Sequence, residues 1–166
     1  EREKQKEKEK KSSKSLFSWR SKSFTKGTLY IRHIETKELK NVELMAGKEN
    51  DPYAILSFAQ NKSWCRQTSP ILDGGSNVHW DLSENERDWR IEITREELLH
   101  DILRVVIMDK NKITMDVKIG EGEITLVGVV EQGIDSGMRV LEVCIYDKRR
   151  RSTGLVLVTV ELLERA

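Results

Sequence analysis

The chain has 166 residues, 29 of them Lys or Arg and 28 Asp or Glu, so its formal charge of +1 is close to neutral. That balance conceals an asymmetry: residues 1–26 hold ten Lys or Arg against four Glu, a net charge of +6, while residues 27–166 carry −5. An acidic body argues against a nucleic-acid binder, and no apolar run approaches the eighteen or so residues of a spanning helix.

The opening EREKQKEKEKKSSKS has no apolar periodicity and cannot bury enough surface to offset its ordering entropy. Residues 1–26 are therefore expected to form a basic, flexible extension, with the domain proper at 27–166. Phe17, Trp19 and Phe24 lie among Arg20, Lys22 and Lys26, a mixture that suits a lipid headgroup interface or packing on the domain that follows. The first residue is Glu and no secretory leader is present, so the chain is expected to be a segment of a longer protein.

From Gly27 onward the chain reads as strands separated by turn signals. Thr28–Ile34 alternates. Pro52–Phe58, the short Ser63–Thr68, and a region marked by Trp80 and Trp89–Ile93 follow. Leu103–Met108 is continuously apolar, as expected of a strand covered on both sides. Glu123–Val127, Val140–Tyr146 and Leu155–Leu162 bring the set to about eight strands. Helical spacing occurs over Arg95–Ile102, which predicts a short helix or turn. The pattern predicts an all-β fold, an eight-stranded antiparallel sandwich or barrel. Cys65 and Cys144 fall within strand runs and read as two buried free thiols.

The residues offer no catalytic grouping. His33, His79 and His100 show no Ser-His-Asp or Cys-His pattern, Gly74-Gly75 reads as a turn, and the cysteines lack zinc-site spacing. The chain does not read as an enzyme.

The linear order of motifs resembles the C2 domain family. Gly27-Thr28-Leu29-Tyr30-Ile31 is like the family's opening strand, and Gly47 to Tyr53 (GKENDPY) is similar to its G-K-S-D-P-Y signature. Thr68 follows. Asn77-Val78-His79-Trp80 resembles N-P-x-W with Val78 in place of the proline. Val105–Asp109 with Lys110 and Asn111 resembles V-x-V-x-D-x-D, and Ile119-Gly120 its I-G step. The resemblance covers residues 27–163. It implies a C2-like sandwich in the permuted, type II order of extended synaptotagmins and novel protein kinases C.

It also implies a calcium site, because three loops at one end of such a sandwich hold that ion through five acidic side chains. The corresponding set here is depleted. Asp51 and Asp109 match; Asn111 stands where an aspartate is usual; Asp116 neighbours the last ligand position, which falls on Val117; Glu43 is the acid nearest the first-loop position, itself near Met45. Affinity falls as ligand charge is removed, so calcium is expected to bind weakly or not at all. Leu44 and Met45 of the first loop and Ile113 and Met115 of the third are candidate membrane contacts, flanked by Lys110 and Lys112. A basic patch is expected from Lys62, Arg66 and Lys118, on the strand face where the family binds phosphoinositides, and from the turn Lys148-Arg149-Arg150-Arg151. The implied function is peripheral docking on anionic phospholipid at the cytosolic face of a membrane. The alternative is a calcium-independent protein-interaction domain within a larger scaffold or trafficking protein.

Overall fold

A computed structural model describes residues 24–164. It is built from nine strands and two short helices. The strands are β1 (Lys26–Lys37), β2 (Pro52–Phe58), β3 (Cys65–Gln67), β4 (His79–Asp81), β5 (Arg90–Thr94), β6 (Ile102–Asp109), β7 (Val117–Thr125), β8 (Met138–Tyr146) and β9 (Ser152–Glu164). Helix α1 (Arg95–His100) joins β5 to β6, and α2 (Val127–Gln132) joins β7 to β8. The order along the sheet is β3-β2-β6-β7-β8-β9-β1-β4, with β5 also against β1, and every pairing is antiparallel.

The sheet curls over on itself between β7 and β8. These two strands share one registered pair, Glu121 with Tyr146. Glycines make the close approach possible: a Cβ on Gly120 would collide with Thr153 Oγ1, and one on Gly122 with the Cys144 carbonyl oxygen. The folded sheet encloses the core. Leu103, Val105 and Ile107 on β6 and Val156, Val158 and Val160 on β9 supply its alternate, buried positions. All of them but Leu103 are β-branched, which suits a pleated, half-buried surface.

Four particulars differ from the sequence reading. The region marked by Trp80 and Trp89–Ile93 is two strands, β4 and β5, separated by a 3₁₀ turn at Ser83–Asn85. Strand β6 lies between two neighbours but is fully covered on one face: Arg104 is exposed, and Val106 and Met108 are half-buried. Val127 begins a helix rather than ending a strand. Its segment VGVVEQ has low intrinsic helix propensity, and tertiary burial of Val129 and Val130 overrides that preference. Cys65 and Cys144 are free but exposed, because each occupies the outward position of its strand.

Helix α1 carries its own start signal. Thr94 Oγ1 accepts the Glu97 N–H at 3.1 Å, and the Glu97 carboxylate accepts the Thr94 N–H at 2.7 Å. Phe24, within the compositional extension, is buried in the core. Phe17 and Trp19, and with them most of the basic arm, lie outside the described residues.

Candidate functional site

Strand register gathers four connections at one end of the curled sheet. Pro52 pairs with Asp109 and Asp109 with Val117, so loop 38–51 and loop 110–116 share that end. Lys37 pairs with Leu155 and Tyr146 with Ser152, which adds the 147–151 turn. Glu35 pairs with His79, which adds loop 68–78.

Hydrogen bonds lock these loops together. Asn50 is fully buried: its Oδ1 accepts the Val42 N–H at 3.0 Å and its Nδ2 donates to the Lys40 carbonyl at 2.9 Å. Its own carbonyl accepts the Gly75 N–H at 3.1 Å, tying loop 38–51 to loop 68–78. The Asp73 N–H donates to Asp51 Oδ1 at 2.7 Å, and the Lys110 N–H to the Asp51 carbonyl at 3.0 Å. Asp51 thus links three loops, the turn-stabilising use of an aspartate side chain extended to its neighbours.

Glu43 and Asp51 each lie near enough to Asp109 for their charges to act on it, without the three closing into a metal-holding cluster. Asp109 is buried, and its Oδ1 accepts the Asp51 N–H at 2.7 Å. Burial pushes its pKa up; the Asp51 N–H works in the opposite direction, and the charges of Glu43 and Asp51, with Glu43 in hydrogen-bonding reach, push it further up. Asp116 is held elsewhere. Its Oδ2 accepts the Tyr53 hydroxyl at 2.6 Å and faces Lys110 Nζ at 3.5 Å, while its Oδ1 accepts the Asn111 N–H at 2.9 Å. The Tyr53 bond is the largest cause of its depressed pKa, followed by the Asn111 N–H. Burial first, then the Asp116 bond, pushes the Tyr53 phenol up to about 12. Asn111 turns its amide to the Met115 carbonyl at 3.0 Å.

Calcium takes six to eight oxygen ligands. Among the described residues no three His, Cys, Asp or Glu side chains converge to hold a metal ion. Both oxygens of Asp116 already accept hydrogen bonds, and Lys110 supplies a positive charge beside them. The residues present do not fit a calcium cage.

The apolar tips are strongly exposed. Leu44 is 100% exposed, Ile113 98%, Met115 88% and Met45 64%. Leu72 in loop 68–78, at 62%, joins them at the same end. The sequence reading missed Leu72, because the resemblance directs attention to the first and third loops; a bulky apolar residue in the turn-rich stretch SPILDGG was the available signal. Lys112 is exposed beside Ile113, whereas Lys110 is drawn to Asp116.

The expected patch of Lys62, Arg66 and Lys118 is not brought together. Arg66 lies opposite buried Leu56, on the inward side of β3, where its Nε donates to the Asp88 carbonyl at 2.6 Å and its guanidinium lies over the Trp64 ring. Lys118 lies opposite Met108 and pairs with Glu121 at 3.1 Å; Lys62 is exposed in the turn between β2 and β3. Arg104 on the outer face of the same sheet is paired with Glu123 at 2.9 Å. That face is charge-compensated.

The 147–151 turn is ordered around Asp147. Asp147 Oδ1 accepts the N–H groups of Arg149 at 2.9 Å and Arg151 at 3.0 Å, and its Oδ2 accepts Arg151 Nε at 2.9 Å. Arg150 takes a positive φ of 60° to close the turn.

The C2 domain family model matches residues 27–139. No curated protein gives a significant match. Among solved structures, a C2 domain of plant extended synaptotagmin 1 superposes with a TM-score of 0.62 at 12% identity, over 88% of this chain and 99% of that one. The calcium-bound tandem C2 domains of extended synaptotagmin 2 give 0.56 at 19% identity, over 83% and 46%. A human GIVD cytosolic phospholipase A2 gives 0.62 at 16% identity over 88% of this chain; the chain spans 17% of that enzyme. These likenesses establish a shared fold, and the family model, covering more than half of the sequence, establishes that the chain belongs to the C2 domain family.

Proposed function

We propose that this domain, from residue 27 onward, docks end-on onto an anionic phospholipid surface at the cytosolic face of a membrane, with calcium adding little. The observation that carries this reading is the exposure of Leu44, Met45, Ile113 and Met115 at one end of the fold. Large apolar side chains gathered in one place on a surface mark an interaction site. Burying one fully in an apolar environment contributes on the order of 2 kcal/mol. Lys112 beside Ile113 supplies a cation at the height of the lipid phosphates. The engaged state of Asp116 and Asn111 supports docking that does not wait for calcium.

No described helix is long and apolar enough to cross a membrane, which agrees with peripheral attachment of this segment. A C2 domain is generally a regulatory module, and here too no catalytic step is proposed.

Co-sedimentation with phosphatidylserine vesicles, in calcium and in chelator, tests the reading. Equal binding in both, lost in an Ile113→Ser/Met115→Ser variant that stays folded, supports it. Binding confined to calcium overturns the calcium-independent part. Absence of binding in either condition overturns the membrane reading and favours the protein-interaction alternative.

A further inference from the structure

The cationic turn between β8 and β9 stands at the same end as the apolar tips and runs directly into a hydroxyl. Residues 148–152 read Lys-Arg-Arg-Arg-Ser, so Arg149 lies three positions and Arg150 two positions before Ser152. Ser152 opens β9 opposite Tyr146 and is exposed, and its hydroxyl makes no hydrogen bond among the described residues. The next hydroxyl is engaged: Thr153 is buried, and its Oγ1 donates to the Ile145 carbonyl at 3.4 Å. Ser152 also borders a cavity of about 690 Å³ shared with Glu38 and Lys40, so a group added to its oxygen has room. Lys37 in the same lining is paired with Glu35 at 2.9 Å, and the cavity is not itself cationic. The uncompensated charge sits on the turn: Asp147 pairs with Arg151 alone, and Lys148, Arg149 and Arg150 are exposed without an ion pair among the described residues.

From this arrangement we infer that Ser152 is a phosphorylation site for a serine kinase that selects arginines two and three residues before its acceptor, and that the phosphate discharges the turn and weakens docking on anionic lipid. A kinase with an acidic peptide groove takes such arginine forks through charge-assisted, bidentate bonds. The transfer breaks the bond from the γ-phosphorus of a nucleoside triphosphate to its bridging oxygen and forms one to Ser152 Oγ. The nucleoside diphosphate and the hydroxyl proton leave. Access requires the hairpin tip to open, because Arg150 holds a φ of 60° and the N–H groups of Arg149 and Arg151 are bonded to the Asp147 carboxylate. One residue, Asp147, holds that tip, and the β8–β9 ladder continues beyond it from Tyr146 and Ser152 to Met138 and Glu161. The tip therefore opens locally while the sheet stays closed. Once in place, the phosphate carries a charge of about −1.5 to −2, enough to offset two of the three exposed cations. Lipid attraction that rests on basic residues is lost when such a phosphate is added beside them. The effect on binding, though not the modification itself, rests on the end-on docking proposed above.

The test incubates the full chain with ATP and the catalytic subunit of cyclic-AMP-dependent protein kinase, and maps the phosphate by fragmentation mass spectrometry. Phosphate on Ser152 is expected in wild type. Its appearance should slow by roughly 10-fold or more in Arg149→Ala/Arg150→Ala, which leaves the kinase carboxylates unpaired. Asp147→Ala, which releases the Arg149 and Arg151 N–H groups, should be phosphorylated at Ser152 faster than wild type. Phosphate confined to the serines of residues 12–23, which also follow basic residues, overturns the site and leaves end-on docking intact. A rate in Asp147→Ala no faster than wild type overturns the opening step. Phosphatidylserine vesicle binding in chelator then compares kinase-treated wild type with kinase-treated Ser152→Ala, so that any phosphate elsewhere is common to both. Wild type is expected to bind roughly 10-fold more weakly than the variant. Equal binding of the two overturns the switch. Failure of untreated wild type to bind the vesicles overturns docking and switch together, and the mapping alone then decides whether Ser152 is modified.

Discussion

The backbone N–H of Asp51 donates to Asp109 Oδ1 at 2.7 Å, so the main chain of one acidic residue occupies an oxygen of the other. Asp109 is 1% exposed, with the carboxylates of Glu43 and Asp51 close by. Such a group holds its proton more tightly in the folded chain than in the unfolded one. Its contribution to stability is complete below the unfolded pKa and is lost as pH rises through the raised folded value.

Asp109→Asn removes the charge and keeps an oxygen for the Asp51 N–H. The variant is expected to melt above wild type at pH 7 and to converge with it below the unfolded aspartate pKa of about 3.9. Thermal denaturation across that range checks both statements. A lower melting temperature at pH 7 contradicts the proposed like-charge strain.

Most of the strands themselves were legible because alternation and turn residues mark them between Thr28 and Leu162. What remained hidden depended on partners distant in sequence. Arg66 is the clearest case. A one-residue shift in register moves a side chain to the other face, and β3 is three residues long, too short for its own pattern to declare a face. Helix α2 was hidden for a different reason: Val127, Val129 and Val130 favour strand, and the core decides against them. At the candidate site, the apolar residues of loops 38–51 and 110–116 could be named in advance. The pairing of Asp116 with Tyr53 could not, since 63 residues separate them.

Asn50→Ala tests whether loop 38–51 is held in place from within. The change leaves the Val42 N–H and the Lys40 carbonyl without their side-chain partner. A loss of about 2 kcal/mol in chemical denaturation is expected, at about 1 kcal/mol per hydrogen bond. Limited proteolysis should then cut first between residues 40 and 50. An unchanged cleavage pattern contradicts the pinning role.

Tyr53→Phe removes the hydroxyl that Asp116 accepts. The folded pKa of Asp116 is depressed, so its contribution is present above the unfolded value and is lost as pH falls through the folded one. The Tyr53 phenol, raised to about 12, contributes below its ordinary value near 10 and loses that contribution as pH rises through about 12. Between these limits the penalty of the variant should be nearly independent of pH. The Asp116 carboxyl, followed by NMR, should titrate higher in the variant. A penalty that varies steeply between pH 6 and 9 contradicts the assignment.

Leu72→Ser asks whether the second loop meets the bilayer alongside the first and third. Leu72 is 62% exposed, so its core contribution is small and the fold should tolerate serine within about 0.5 kcal/mol. If loop 68–78 inserts, the variant forfeits part of the transfer free energy of a leucine, on the order of 2 kcal/mol when complete. Affinity for phosphatidylserine vesicles should then fall by up to about 30-fold. The loss should persist at high salt, because apolar insertion is not screened as the lysine contacts are. Combined with Ile113→Ser/Met115→Ser, the losses should add where each loop inserts independently. Unchanged affinity in Leu72→Ser, with Ile113→Ser/Met115→Ser still impaired, would show that the domain tilts toward its third loop and lifts the second clear of the lipid.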